Sequence, residues 1–224
     1  MTADPVDWPG VRGRMLGLTP PAGDAWPPLE PPLTPAELAA VQHQLGVELP
    51  ADYRRFLLHV GRGGAGPDGG LHPLEHDADG WSWRVHTDWD PNDLTTLAEP
   101  FPLRSSDWRT AEELLDDCPD WDTFSPRNDY EEAWQAWHDR HEATMYNPRR
   151  THGAFSIAND GAGTLRWLIV TGPERGHVWL DHRLDGRGMA PAWLPHHRRV
   201  TFGQWYLRWL ETAEAGSKAT RAPR

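Results

Sequence analysis

Leu49-Pro50-Ala51-Asp52-Tyr53-Arg54-Arg55-Phe56-Leu57 is the stretch on which the fold turns. Proline has no N–H to donate and a fixed φ, so Pro50 suits the start of a helix and not its interior. Beyond it, Tyr53, Phe56, Leu57 and Val60 recur at helical spacing and make one apolar face, and Gly61 ends the run. Just upstream, Thr34-Pro35-Ala36-Glu37 is a start signal: Thr34 caps, Pro35 takes the first helical position and Glu37 completes a capping box. Leu38, Val41 and Leu45 then form a stripe, and Gly46 is a natural stop. Two short helices separated by so few residues pack as an antiparallel hairpin.

Outward from the hairpin the pattern changes. Gly61–Gly70 carries six glycines. A phosphate-cradling loop would follow a strand and carry Lys and Ser/Thr; this one follows a helix and has neither, so it reads as a flexible turn. Leu71–Leu74 and the alternating Trp81–His86 read as strands. Short helices are predicted over 91–99 and 110–118, the second opened by Thr110-Ala111-Glu112-Glu113. A longer helix is predicted from Pro126 to Tyr146, with Tyr130, Trp134, Trp137, His141 and Met145 as its stripe. Ala154–Ala158 and Leu165–Thr171 flank Asn159-Asp160-Gly161-Ala162-Gly163, which is hairpin-turn chemistry. His177–Asp181 follows as a further strand. Thr201-Phe202-Gly203-Gln204 opens a last helix that carries Phe202, Trp205, Tyr206, Trp209 and Leu210 on one side.

Residues 1–33 hold eight prolines and read as an extended arm, with a short turn of helix at Val11–Leu16 and pins at Trp8 and Trp26. The polar tail from Thr212 reads as disordered. Helices and strands are segregated along the chain. The fold class is therefore α+β: an N-terminal helix hairpin and a C-terminal helix on a mainly antiparallel sheet. One domain is expected over 34–211, with a helical acidic insertion at about 75–150.

Cys118 is the only cysteine in 224 residues, which excludes an intrachain disulfide and any zinc site built on several cysteines, and fits a reducing cytoplasm. Met1–Pro5 is acidic rather than basic and apolar, unlike a secretory signal, and no run of about 18 apolar residues suggests a membrane span. The net charge of −11 argues against nucleic acid as a partner. Its distribution says more. Residues 75–145 hold 19 acidic and 5 basic residues, a net of −14, and the rest of the chain sums to +3. Such a field attracts a basic protein. Glu112, Glu113, Asp116 and Asp117, with Trp108, Trp121, Trp134 and Trp137 among the acids, are the candidate partner-binding residues, since Trp is a favoured interface anchor. His138-Asp139-Arg140-His141-Glu142, His72/His76 and His196-His197 place imidazoles near one another without a full ligand set or the His-Glu-x-x-His spacing. Neither a metal nor another cofactor is expected. Adjacent acid pairs such as Glu131-Glu132 read as solvated helix faces rather than as catalytic dyads, and no catalytic residue is assigned.

The order of these signals resembles the SUKH superfamily, which includes the fungal Smi/Knr cell-wall-assembly regulators and many bacterial immunity proteins. The likeness rests on Leu49-Pro50 with Tyr53 and Phe56-Leu57, on the glycine cluster after Val60, on the strand pair around Gly161–Val170, and on the closing Thr201-Phe202 and Trp205-Tyr206-Leu207. It covers about 34–74 and 152–211. It implies a non-enzymatic protein-binding module, in bacteria often one that neutralises a cognate toxin. A regulator or scaffold of cell-wall assembly is the alternative. A carbohydrate- or metal-dependent enzyme built on the Trp-rich surface is a third.

Overall fold

The computed structural model describes residues 6–18, 26–85, 91–104, 107–125, 127–195 and 198–221; the side chains of residues 108, 109, 111 and 219–221 are left undescribed. The hairpin stands where the periodicity places it, as α2 (Pro35–Leu45) and α3 (Ala51–His59). The capping box is formed. The Thr34 hydroxyl accepts the Glu37 N–H at 3.2 Å, and the Glu37 carboxylate accepts the Thr34 N–H at 2.7 Å. Gly46 ends α2 in the left-handed region at φ 65°. Across the turn, Gln42 accepts the Leu49 N–H at 3.0 Å, which ties the end of α2 to the start of α3.

The main sheet is an antiparallel meander of β3 (Ala154–Asn159), β4 (Leu165–Ile169), β5 (Val178–Asp181) and β6 (Met189–Pro191), in that spatial order. A bulge interrupts β3 between Ser156 and Ala158. Both faces of the sheet are covered, so β4 buries Leu165, Trp167, Leu168 and Ile169 on opposite sides. On one face Phe155, Ile157, Leu168, Val170 and Val178 join the core of the helix hairpin. On the other, Leu165, Trp167, Ile169, Trp179 and Met189 pack with Phe101 and Leu103. A hairpin of β1 (Leu74–Asp77) and β2 (Gly80–Trp83) lies against α2, where Gln44 grips both the N–H and the C=O of Trp81. A short pair, β7 (Trp193–Leu194) with β8 (Arg198–Arg199), precedes the last helix. Leu71–Leu74 is a strand only from Leu74 onward; Leu71 makes isolated bridges to Gly64 and Ala158.

Three readings change. The turn of helix expected at Val11–Leu16 is a full helix, α1 (Trp8–Leu16), rather than a detail of an extended arm, with Pro9 in its first turn where a missing N–H does no harm. Trp8 is 1% exposed and packs against Phe56, Phe202 and Tyr206, so this stretch is core. The glycine loop is no flexible turn. A Cβ on Gly64, at φ 94°, would stand 1.9 Å from the carbonyl oxygen of Pro28, and Ala65 C=O accepts the Tyr206 hydroxyl at 3.0 Å. The loop needs glycine because two backbones meet there. Finally, α6 runs from Phe202 to Arg221. It passes through the stretch read as a disordered tail; Ser217 is buried and Glu214 pairs with Arg14 of α1.

Candidate partner-binding surface

Between the β1–β2 hairpin and the sheet the chain makes a short turn at Leu94–Thr96, then α4 (Asp107–Asp116), a turn at Trp121–Thr123, and α5 (Arg127–Met145). α5 buries Trp137, His141 and Met145, the later part of its expected stripe, and named contacts hold it. The Trp137 indole N–H donates to the Leu114 carbonyl at 2.7 Å and fastens α5 to α4. His141 Nε2 lies 3.3 Å from the Gly186 carbonyl, and the Tyr146 hydroxyl donates to the Arg183 carbonyl at 3.0 Å. These bonds fasten the end of α5 to the loop after β5. Met145 beneath them is fully buried.

The eight residues singled out from the sequence separate into groups. Glu112, Glu113, Asp116 and Asp117 are exposed along and just beyond α4. Among the described residues none of the four is in an ion pair, and all four carboxylates face solvent. Trp121 is 46% exposed and stands edge-on to Tyr130 at 4.9 Å, with the Arg127 guanidinium 5.0 Å above its ring. This aromatic cluster sits at the far end of α5. Trp134 is half-buried and stacks on His138 at 4.8 Å. Trp137 is corrected: at 8% exposure it is a fastener inside the insertion and offers a partner nothing. The Trp108 side chain lies outside the described residues. Trp167 and Trp179 are fully buried in the second core and present nothing to a partner.

The imidazoles are used locally. His138 stacks on Trp134, and His141 stacks on Trp137 at 4.9 Å. Among the described residues no group of three or more His, Cys, Asp or Glu could hold a metal ion, and no helix is long and apolar enough to cross a membrane. Buried carboxylates serve the fold. Asp181 accepts the Trp167 indole N–H at 3.0 Å and is clasped by Arg183, and Glu174 pairs with Arg199.

Among the described residues sequence reasoning missed two exposed aromatics, Tyr146 and Trp193. Trp193 is 41% exposed and lines a hollow together with Glu112 of α4. The spacing in Pro191-Ala192-Trp193-Leu194-Pro195 gives no clue, since an exposed Trp and a buried one look alike in a two-residue strand.

The model of the SMI1/KNR4 family (SUKH-1) matches residues 32–193. The chain belongs to the SMI1/KNR4 (SUKH-1) family. The family match begins just before α2, encloses the α4–α5 region and stops in β7, so α1 and α6 lie beyond it although both supply core residues. No curated protein and no solved structure matches the chain.

Proposed function

We propose that this SUKH-1 domain is a non-enzymatic binding module that neutralises a basic protein, a cognate toxin acting on nucleic acid, in the cytoplasm. The observation that carries the reading is the exposed row of carboxylates along and just beyond α4, set within a region of net charge −14. A toxin that grips phosphates presents a basic groove. An acidic face steers toward such a groove and occludes it, because complementary potentials raise the encounter rate and penalise like-charged partners. Family membership supports a SUKH-type domain; the acidic face supports the class of partner.

The test is co-purification from the native cell followed by mass spectrometry, run in parallel on wild type and on a variant carrying Glu112→Gln, Glu113→Gln, Asp116→Asn and Asp117→Asn. The account expects one basic protein, recovered with wild type and depleted with the variant, and rescue of growth when both are expressed together. A neutral or acidic partner recovered equally by both proteins would refute it.

A further inference from the structure

The hollow beside Trp193 has a volume of about 290 Å³ and opens where α4 lies against β6, the outer strand of the main sheet. Leu180 and Pro191 give it an apolar floor, since the first is half-buried and the second buried. Exposed Trp193 and Glu112 stand on its rim, and His182 and Arg187 complete the lining. It is too small for a helix and wide enough for one large side chain.

Two neighbouring features define what fits. The α4 carboxylates lie on one side and are unpaired among the described residues, so cationic groups are drawn there. The floor of the groove is apolar, with a Trp at its edge. Arg187 contributes one positive charge and disfavours a cation inside the groove. A cation therefore belongs over α4 and an uncharged side chain in the hollow. Interfaces of this kind take their affinity from one apolar or aromatic anchor in a desolvated pocket, and their speed and selectivity from the surrounding charge.

We infer that the α4–β6 groove is the anchor pocket of the binding face and takes one aromatic side chain of a basic protein segment, whose flanking arginines or lysines lie over Glu112, Glu113 and Asp116. The inference rests on the proposal of a basic partner and adds to it a site where the acidic region meets the main sheet, with Trp193 as its key residue.

Three pentapeptides test it on the full chain: Arg-Arg-Phe-Arg-Arg, Arg-Arg-Ala-Arg-Arg and Glu-Glu-Phe-Glu-Glu. Affinity and site are read together from NMR titration of the tryptophan indole N–H signals. The first peptide should bind about tenfold more tightly than the second, the equivalent of roughly 1.4 kcal/mol, and should move the Trp193 signal. The third should not bind. Trp193→Ala should bring the first peptide to the level of the second while the protein stays folded, which its melting curve checks. Equal binding of both arginine peptides, or shifts confined to Trp121, would overturn the groove while leaving the acidic-face reading intact. Failure of both arginine peptides, or equal binding of the glutamate peptide, would overturn both. Self-association abolished by Trp193→Ala would overturn the groove as a partner site by making it a contact between copies.

Discussion

Tyr53 is 2% exposed, and its hydroxyl accepts the Trp83 indole N–H at 2.7 Å. Burial pushes its pKa far up, so the ring stays neutral. Tyr53→Phe keeps the ring contacts with Phe56, Phe155 and Phe202 and strands the Trp83 N–H in the core. The expected loss is about 1–3 kcal/mol in urea denaturation. Phe56 is fully buried among four aromatic rings, and Phe56→Ala should cost about 3–5 kcal/mol. A soluble Phe56→Ala protein of unchanged stability would refute the packing role. Gly64→Ala demands both a positive φ and space that the Pro28 carbonyl fills. It should lose more than the roughly 1 kcal/mol that a harmless Gly→Ala change can gain, read as a drop in Tm. Tyr53 and Phe56 are legible in the sequence because a helix repeats its face within a few residues. The tightness of the glycine loop is not, because the backbone that closes on Gly64 comes from a distant segment.

At the scale of elements, α2, α3, the β3–β5 meander and the start of α6 declare themselves through caps, turn residues and periodicity. α1 does so only in part: a turn of helix at Val11–Leu16 and a pin at Trp8 are legible, but the surrounding prolines mask the helix's start at Trp8, and its partners, Phe202 and Tyr206, stand at the other end of the chain. Trp8→Ala should therefore destabilise by about 3–5 kcal/mol, and chemical denaturation of the full chain measures it. The far half of α6 lacks an apolar stripe and so resembles a tail; α1 is what it rests on. Arg14 holds Glu214 through two hydrogen bonds, at 2.8 and 3.0 Å, and keeps its carboxyl below the usual range. A carboxyl depressed in the folded state adds stability above its unfolded pKa and loses it as pH falls through the folded value. Glu214→Gln should thus be slightly less stable than wild type near neutrality. That gap, within about 1 kcal/mol for so exposed a pair, should close as pH drops below about 4. A gap independent of pH would show that the pair does not act through charge.

Over the whole molecule, charge and aromatic exposure divide unevenly. The acidic segment is legible from a count of residues, but which of its tryptophans face solvent is set by packing: Trp137 is spent on joining α4 to α5, Trp121 remains outside, and Trp193 joins the same face from beyond the segment. Replacing Glu112, Glu113, Asp116 and Asp117 with their amides changes little shape, and stability should shift by no more than about 0.5 kcal/mol. The central claim is that this face captures a basic protein by charge, and the association rate of the purified partner as a function of salt tests it most directly. Screening shortens the reach of a charge from about 30 Å at 0.01 M salt to about 10 Å at 0.1 M. The wild-type on-rate should therefore fall steeply across that range while the off-rate moves little, and the four-amide variant should start slower and follow a flatter line. A wild-type on-rate indifferent to salt, or a variant that associates as fast as wild type at low salt, would contradict the account.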